Sequence, residues 1–183
     1  MTDEASLLQR AREREPEALA DIYDAYASKI YAYIYRHVRD AQLAEDLTST
    51  VFLKMLESLD RDKFAREKLQ AWLYRIAYNT IVDDARRHQR RPTSPLYDTI
   101  VLPAENDPSF LVDKRLTREE VVQAIQQLTD DQKNVIILRF GEGLTAPKVA
   151  QILDKSEEAV RALQRRGLIN LKRILVQTIK GLE

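Results

Sequence analysis

Residues 144–175 read LTAPKVAQILDKSEEAVRALQRRGLINLKRIL, a pattern typical of two helices packed across a tight turn. Such a unit needs a small residue where the helices meet, a turn residue that accepts positive φ, and an apolar residue that fixes the second helix. Ala150, Asp154 and Val160 occupy these positions, and Asp is among the non-glycine residues that best tolerate left-handed backbone. Ser156 is placed to cap the second helix. The segment therefore predicts a helix-turn-helix.

The polar face of this unit carries side chains suited to DNA. Arg161, Gln164 and Arg165 lie on the second helix, while Thr145 and Lys148 open the helix before it. Arg can bond guanine bidentately, Gln can bond adenine in the same way, and the N–H groups at a helix start suit a phosphate. An ordinary helical hairpin with a solvated basic face is the alternative. The pattern favours binding of duplex DNA over that alternative.

Two capping patterns and a proline-rich segment precede the helix-turn-helix. Thr117 with Glu120, and Thr129 with Gln132, each have the spacing of a capping box. Before them, four of the six prolines fall in residues 92–116. Because proline lacks a backbone donor and fixes φ, this segment cannot continue a helix. It is therefore predicted to be an extended linker.

The part of the chain before the linker is also helical by its periodicity. Apolar residues recur at three- and four-residue steps through residues 19–38, 43–59 and 69–82. The sequence therefore predicts an all-α protein with two small helical domains, residues 1–91 and 117–183, joined by the Pro-rich linker.

The composition excludes several classes of protein. Among 183 residues there is no Cys and only four Gly, which rules out disulfides, thiol catalysis and Cys-ligated zinc, and disfavours a glycine-rich phosphate loop. No apolar run approaches the ~20 residues that span a bilayer, so we expect a cytoplasmic protein with no membrane insertion. The two His are isolated, and no Ser/His/Asp set is visible. We therefore expect no enzymatic activity, cofactor, metal or small-molecule substrate.

The net charge of zero conceals an uneven distribution of charge. The chain has 29 basic and 29 acidic residues, but residues 71–91 carry five basic against two acidic, and residues 155–180 carry seven against two. Two modest basic patches on tethered domains can bind DNA jointly, while acidic surface elsewhere limits indiscriminate binding. Neutrality is therefore no argument against a nucleic-acid partner.

Aromatic residues precede the first basic patch. Rings beside cations suit unpaired bases, because each base that stacks on a ring contributes about 1–3 kcal/mol. Trp72 falls on the apolar face with Leu69 and Leu73, so we expect it to pack in the core first, whereas the amide of Asn79 has little packing reason to be there. The candidates for contact with an opened strand are Trp72, Tyr74, Arg75, Tyr78, Asn79, Arg86, Arg87, Arg90 and Arg91.

Four pieces in this order resemble a bacterial RNA polymerase sigma factor of the extracytoplasmic-function (ECF) group. They are ALADIYDAYASKIYAYIYRHV, AEDLTSTVFLKMLESL, QAWLYRIAYNTIVDDARRHQRR and the segment from QLTDDQK through the helix-turn-helix. The likeness covers roughly residues 17–91 and 117–177. It implies a protein that binds core RNA polymerase and directs initiation at promoters with minus-ten and minus-thirty-five elements.

The resemblance also assigns roles by position. It implies docking of the AEDL…VF helix on a coiled coil of core polymerase, through Asp46, Leu47, Phe52 and Lys54. It implies capture of the melted minus-ten element by Trp72, Tyr74, Arg75, Tyr78, Asn79, Asp83, Arg86, Arg87 and Arg90. It implies reading of the minus-thirty-five duplex by Thr145, Lys148, Ser156, Arg161, Gln164 and Arg165.

Two other functions remain open at this point. A helix-turn-helix regulator that never engages polymerase accounts for the C-terminal half, but not for the aromatic and basic helix. A sigma-like protein with weakened core binding is suggested by Ser49 and Thr50, which stand where the family usually has a Gln and an acidic residue. The resemblance also implies a partner that masks the two domains, commonly an anti-sigma protein.

Overall fold

The structure, a computed structural model, describes residues 4–59, 68–89 and 117–180. The described helices form two compact units. The predicted all-α class is confirmed, since every regular element in the described ranges is helical. The predicted linker, Arg90 and Arg91 lie outside those ranges. Within the described ranges, no helix combines the length and the hydropathy of a membrane span.

The first unit contains four helices, whose boundaries follow from local chemistry. They are α1 (Glu4–Arg12), α2 (Pro16–Val38), α3 (Ala41–Ser58) and α4 (Leu69–Gln89). The proline that begins α2 lies where no backbone donor is needed. Arg39 ends α2 in left-handed backbone, with φ at 57°, and Asp40 then caps α3 by accepting a 2.9 Å bond from the N–H of Leu43.

The core of this unit lies where α2 packs on α3 and α4. Its members share apolar side chains and near-complete burial. From α2 and α3 they are Ile22, Ile30, Tyr33, Ile34, Val51 and Met55, and from α4 they are Leu69, Trp72, Leu73, Tyr74 and Ala77.

The second unit contains α5 (Arg118–Gln126), α6 (Asp130–Ile136), a π-helical turn (Ile137–Gly141), most of α7 (Ala146–Leu153) and α8 (Glu157–Lys180). The capping box at Thr117 is confirmed: its hydroxyl accepts from the N–H of Glu120, whose carboxylate accepts from the N–H of Thr117.

The second predicted capping box is wrong. Thr129 is the cap residue of α6, but its side chain makes no capping bond. Gln132 is buried and turned towards α8, where its Oε1 accepts a 3.0 Å bond from Nδ2 of Asn170. The side-chain amide of Gln132 therefore bonds Asn170 on α8 and not the start of α6, where the local pattern placed it.

The helix-turn-helix forms as predicted. Asp154 ends α7 in left-handed backbone, with φ 52° and ψ 49°. The hydroxyl oxygen of Ser156 accepts a 3.1 Å bond from the N–H of Ala159 and caps α8. Ala150 and Val160 are both buried where they were expected to pack.

Close packing of α6 on α8 depends on Gly167. A Cβ at this position would lie 3.1 Å from Cγ1 of Ile136, closer than ordinary van der Waals contact. The glycine thus allows α8 to approach α6, and this contact fixes the base of the helix-turn-helix.

Candidate nucleic-acid and polymerase-binding surfaces

The exposed face of α8 is cationic. Arg161, Arg165 and Arg166 are all exposed, and Arg161 is the best defined of the three. Its Nη2 lies 3.1 Å from Oε2 of Glu157, one helical turn earlier, while 68% of its side chain stays accessible. An exposed pair of this kind contributes little stability, so the guanidinium can exchange the carboxylate for a phosphate or a base edge at small cost.

Gln164 lies half-buried on the same helix and is held by a residue that sequence reasoning missed. Nε of Arg139, in the π turn, donates to Oε1 of Gln164 at 2.9 Å. The guanidinium also bonds the backbone carbonyl of Leu144. The sequence does carry a sign of this role. Arg139 is the one charged residue in the apolar run VIILRF, and a buried charge needs polar partners.

The start of α7 and the start of α8 supply the rest of this surface. Thr145 is exposed at the N-cap of α7 and its side chain makes no capping bond. Lys148 is half-buried, and Ser156 is exposed. Although Ser156 caps α8 through its oxygen, its O–H proton can still donate. The structure therefore places the six predicted duplex-binding residues in one helix-turn-helix.

Two of the predicted strand-binding rings are in the core. Trp72 and Tyr74 are each 1% exposed, and the ring of Tyr74 packs edge-on against Tyr33 at 5.3 Å between centroids. Trp72 therefore packs in the core, as expected, and Tyr74 is buried as well. Neither ring presents a face for stacking in this structure, so the predicted contacts of both rings with a strand stay predictions. Helix α4 packs against α1, α2 and α3. Side chains on more than one side of the helix are therefore buried, although the sequence shows only one apolar stripe.

The remaining residues of α4 form an accessible polar stripe. Asn79, Asp83 and Arg86 are exposed and follow one another at steps of four and three residues, which places them on one side of the helix. Arg87 is also exposed, while Arg75 and Tyr78 are half-buried. The arrangement offers one amide, one partly accessible ring and several cations to a nucleic-acid strand.

The exposed side of α3 carries a small mixed surface. Asp46, Ser49 and Leu53 share it at helical spacing, and Leu53 leaves 60% of its area accessible. Thr50, beside them, donates its hydroxyl to the carbonyl of Asp46 at 2.9 Å. Sequence reasoning missed Leu53, although it is an apolar residue off the buried stripe.

The other three residues of the predicted polymerase-binding set do not lie on this exposed side of α3. Leu47 and Phe52 are buried, and Phe52 packs on Tyr23 with 4.9 Å between ring centroids. They hold α3 in place. Lys54 lies between α3 and α4, where its Nζ contacts Asp83.

The described titratable groups whose pKa is clearly shifted lie elsewhere, at the junction of α1 and α2. Burial raises the pKa of the Tyr26 phenol, and its 3.0 Å bond to Glu4 adds to the effect. A hydrogen bond to Glu15 raises the pKa of Arg10. Across the described ranges, no group of three or more His, Asp or Glu is arranged to hold a metal ion.

Two family models match the chain, in the order of its two units. The model of sigma-70 region 2 matches residues 22–91, and that of sigma-70 region 4 matches residues 124–173.

Curated relatives cover most of the chain. It is 30% identical to the ECF RNA polymerase sigma factor SigX of Bacillus subtilis, over 83% of this chain and 80% of that protein. It is 31% identical to the ECF RNA polymerase sigma factor BldN of Streptomyces coelicolor, over 92% of this chain and 64% of that protein. The chain thus spans less than two thirds of the length of BldN.

Solved structures share the fold. CnrH, in complex with the cytosolic domain of CnrY, gives a TM-score of 0.69 at 19% identity, covering 95% of this chain and 97% of that one. The sigma factor RpoE from Bartonella quintana, in complex with the anti-sigma factor NepR, gives 0.66 at 20% identity, covering 84% and 93%.

Proposed function

The chain belongs to the ECF group of sigma-70 factors, and from this membership we propose that it binds core RNA polymerase and directs it to initiate transcription at specific promoters. The observation that carries the proposal is the pair of region 2 and region 4 matches, in order, on two helical units that each expose a polar and cationic helix face. In this proposal residues 1–91 engage polymerase and the minus-ten element, residues 92–116 are a tether, and residues 117–183 engage the minus-thirty-five element.

The polymerase-binding surface is the exposed side of α3. Asp46 supplies the charge and Leu53 the apolar contact, since both are accessible on the same side of the helix. Leu47 and Phe52 contribute indirectly, because their burial fixes the rotation of α3. This surface also contains Ser49 in place of a larger polar side chain, which favours a weaker hold on core polymerase than the family pattern would provide.

The minus-ten strand is captured by α4. Asn79 is the base-reading candidate because its amide is exposed and has both a donor and an acceptor. Tyr78 supplies the partly accessible ring. Arg75, Arg86, Arg87 and Arg90 follow the strand's phosphates, and Asp83 orders the stripe by contacting Lys54.

The minus-thirty-five duplex is read by the helix-turn-helix. Arg161 and Arg165 are exposed on α8, the helix placed to enter a major groove. Thr145, Lys148 and Ser156 lie near the starts of α7 and α8, where backbone N–H groups also face a phosphate. Each patch is modest, so promoter affinity depends on both units binding at once.

The chain's partners in this proposal are core polymerase, promoter DNA and a masking protein of the anti-sigma class. It acts by binding, without enzymatic activity of its own, in the cytoplasm where polymerase works. RpoE of Bartonella quintana was solved with its anti-sigma factor NepR. Here too a protein that covers the exposed helix faces would keep both units from polymerase and DNA.

Reconstituted transcription tests the proposal. Purified chain added to core polymerase should give transcripts from a defined start on its own gene's promoter region, whereas core alone should not. A helix-turn-helix regulator would instead footprint duplex DNA unaided and give no promoter-specific transcript with core polymerase. That second result would overturn the proposal.

A further inference from the structure

Arg139 joins three parts of the region 4 unit. It lies in the π turn, its Nε donates to Oε1 of Gln164 on α8 at 2.9 Å, and its Nη1 bonds the carbonyl of Leu144 just before α7. Both contacts are part-buried. In the ranges that the structure describes, no carboxylate lies within ion-pair distance of this guanidinium. A half-buried, unneutralised cation therefore lies beside the amide of Gln164.

The chemistry of arginine settles which way this amide faces. A guanidinium only donates hydrogen bonds, so the atom that meets it must be the Oε1 oxygen of Gln164. The Nε2 amino group occupies the other branch of the amide. It bonds no acceptor within the described part of the chain.

This orientation changes what Gln164 can read in a base pair. A glutamine that bonds adenine bidentately accepts from the adenine amino group through Oε1 and donates to N7 through Nε2. Here Oε1 already bonds a cation, which would also repel the electropositive amino group of adenine. Guanine presents only acceptors, O6 and N7, at the corresponding positions. These acceptors match the Nε2 donor and are attracted by the charge.

We propose that Arg139 is a positioning residue for promoter recognition: it holds Gln164 as a donor, so that the base pair facing Gln164 is read as guanine rather than adenine. The inference rests on the proposed function, because it requires α8 in the major groove of the upstream element. It replaces the adenine contact that the residue type alone suggests.

Selection from a promoter library tests this proposal. Core polymerase loaded with the full chain is offered duplexes randomised across the upstream element, and the bound DNA is sequenced. The wild type should enrich guanine over adenine by about tenfold at one position, and Gln164→Leu should abolish that preference. Gln164→Glu, which can only accept, should shift the position to cytosine.

The arginine variants separate positioning from folding. Arg139→Met should lose the preference at the same position and leave the other positions unchanged, and Arg139→Lys should restore part of it. Arg118→Met removes a cation from the first turn of α5 and should change nothing. Three results would each overturn the proposal. The wild type could prefer adenine at the position that depends on Gln164, Gln164→Leu could leave the base preferences unchanged, or a folded Arg139→Met could leave them unchanged. If Arg139→Met does not fold, the wild type decides: a preference for guanine that Gln164→Leu abolishes supports the proposal, and a preference for adenine that Gln164→Leu abolishes overturns it.

A measurement without DNA separates failure of this proposal from failure of the sigma function. If the wild type enriches no upstream motif at all, the proposed function fails. The side-chain resonance of Arg139 Nε–H in the full chain should exchange slowly and move on Gln164→Leu. An unchanged resonance would contradict the hydrogen bond itself, whatever the protein does at promoters.

Discussion

Nζ of Lys54 lies 3.5 Å from Oδ2 of Asp83, so one lysine ties the helix proposed to meet polymerase to the helix proposed to hold the melted strand. The same Nζ lies 3.3 Å from Oγ1 of Thr80, a fully buried residue of α4. Lys54, which the sequence assigned to polymerase binding, therefore also contributes to the packing of α3 on α4.

Lys54→Met should leave the affinity for core polymerase within about twofold while lowering the free energy of unfolding by less than ~1 kcal/mol, as expected for a partly exposed pair. A double-mutant cycle with Asp83→Asn, read by urea denaturation, should return a coupling of about 0.2–1 kcal/mol. A more than tenfold loss of core binding with unchanged stability would place Lys54 on the polymerase surface instead.

Ser49→Gln combined with Thr50→Glu should strengthen core binding, because the pair restores an amide and a carboxylate beside Asp46 on α3. We expect a gain of about 1 kcal/mol, or roughly fivefold in Kd, from one added charge-assisted contact. Titration of labelled chain with core polymerase measures it. Ser28→Gln, a comparable change at an exposed site of α2, is the control and should leave Kd unchanged.

Asn79→Ala and Arg161→Ala should separate two steps of initiation. Arg161→Ala should weaken binding of the holoenzyme to the upstream duplex by about 1–3 kcal/mol if the contact is bidentate. Asn79→Ala should instead reduce strand opening, followed by permanganate reactivity, and leave upstream binding intact. Equal losses by both variants in both assays would contradict this division of labour.

Asp154→Gly should stabilise the protein by about 0.5–1 kcal/mol. Asp154 holds φ at 52°, and glycine removes the steric cost of left-handed backbone, offset in part by the greater freedom of the unfolded chain. Asp154→Ala keeps the Cβ and should destabilise by a similar amount. Thermal denaturation of both variants checks the opposite signs.

Tyr26 should make stability fall in alkali. Because burial and the bond to Glu4 raise the pKa of its phenol above the ordinary value near 10, folding favours the protonated form. Its contribution is complete below pH 10 and is lost as the pH rises further. Tyr26→Phe should therefore flatten the decline in unfolding free energy above pH 10, measured by urea denaturation at a series of pH values.

The features that the sequence predicted well are those set by neighbouring residues. Asp154, Ser156 and the Thr117 capping box act within one turn, so spacing alone identified them. The failures have distant causes: Asn170, 38 residues away, bonds Gln132 and removes it from the predicted box. Tyr74 is buried because α4 contacts three other helices, a packing that no single-helix periodicity reveals. Arg139 was missed for the same reason, since its partner Gln164 lies 25 residues further on.

The π turn at Ile137–Gly141 sets a rule for building chimeras from members of this family. Each residue removed from a helix rotates everything beyond it by about 100°, so deleting one residue here would swing Arg139 away from Gln164. If only α7 and α8 were exchanged between relatives, position 139 would come from one parent and position 164 from the other. The junction of such a chimera should therefore lie before residue 137, so that the residues at positions 139 and 164 come from the same parent protein.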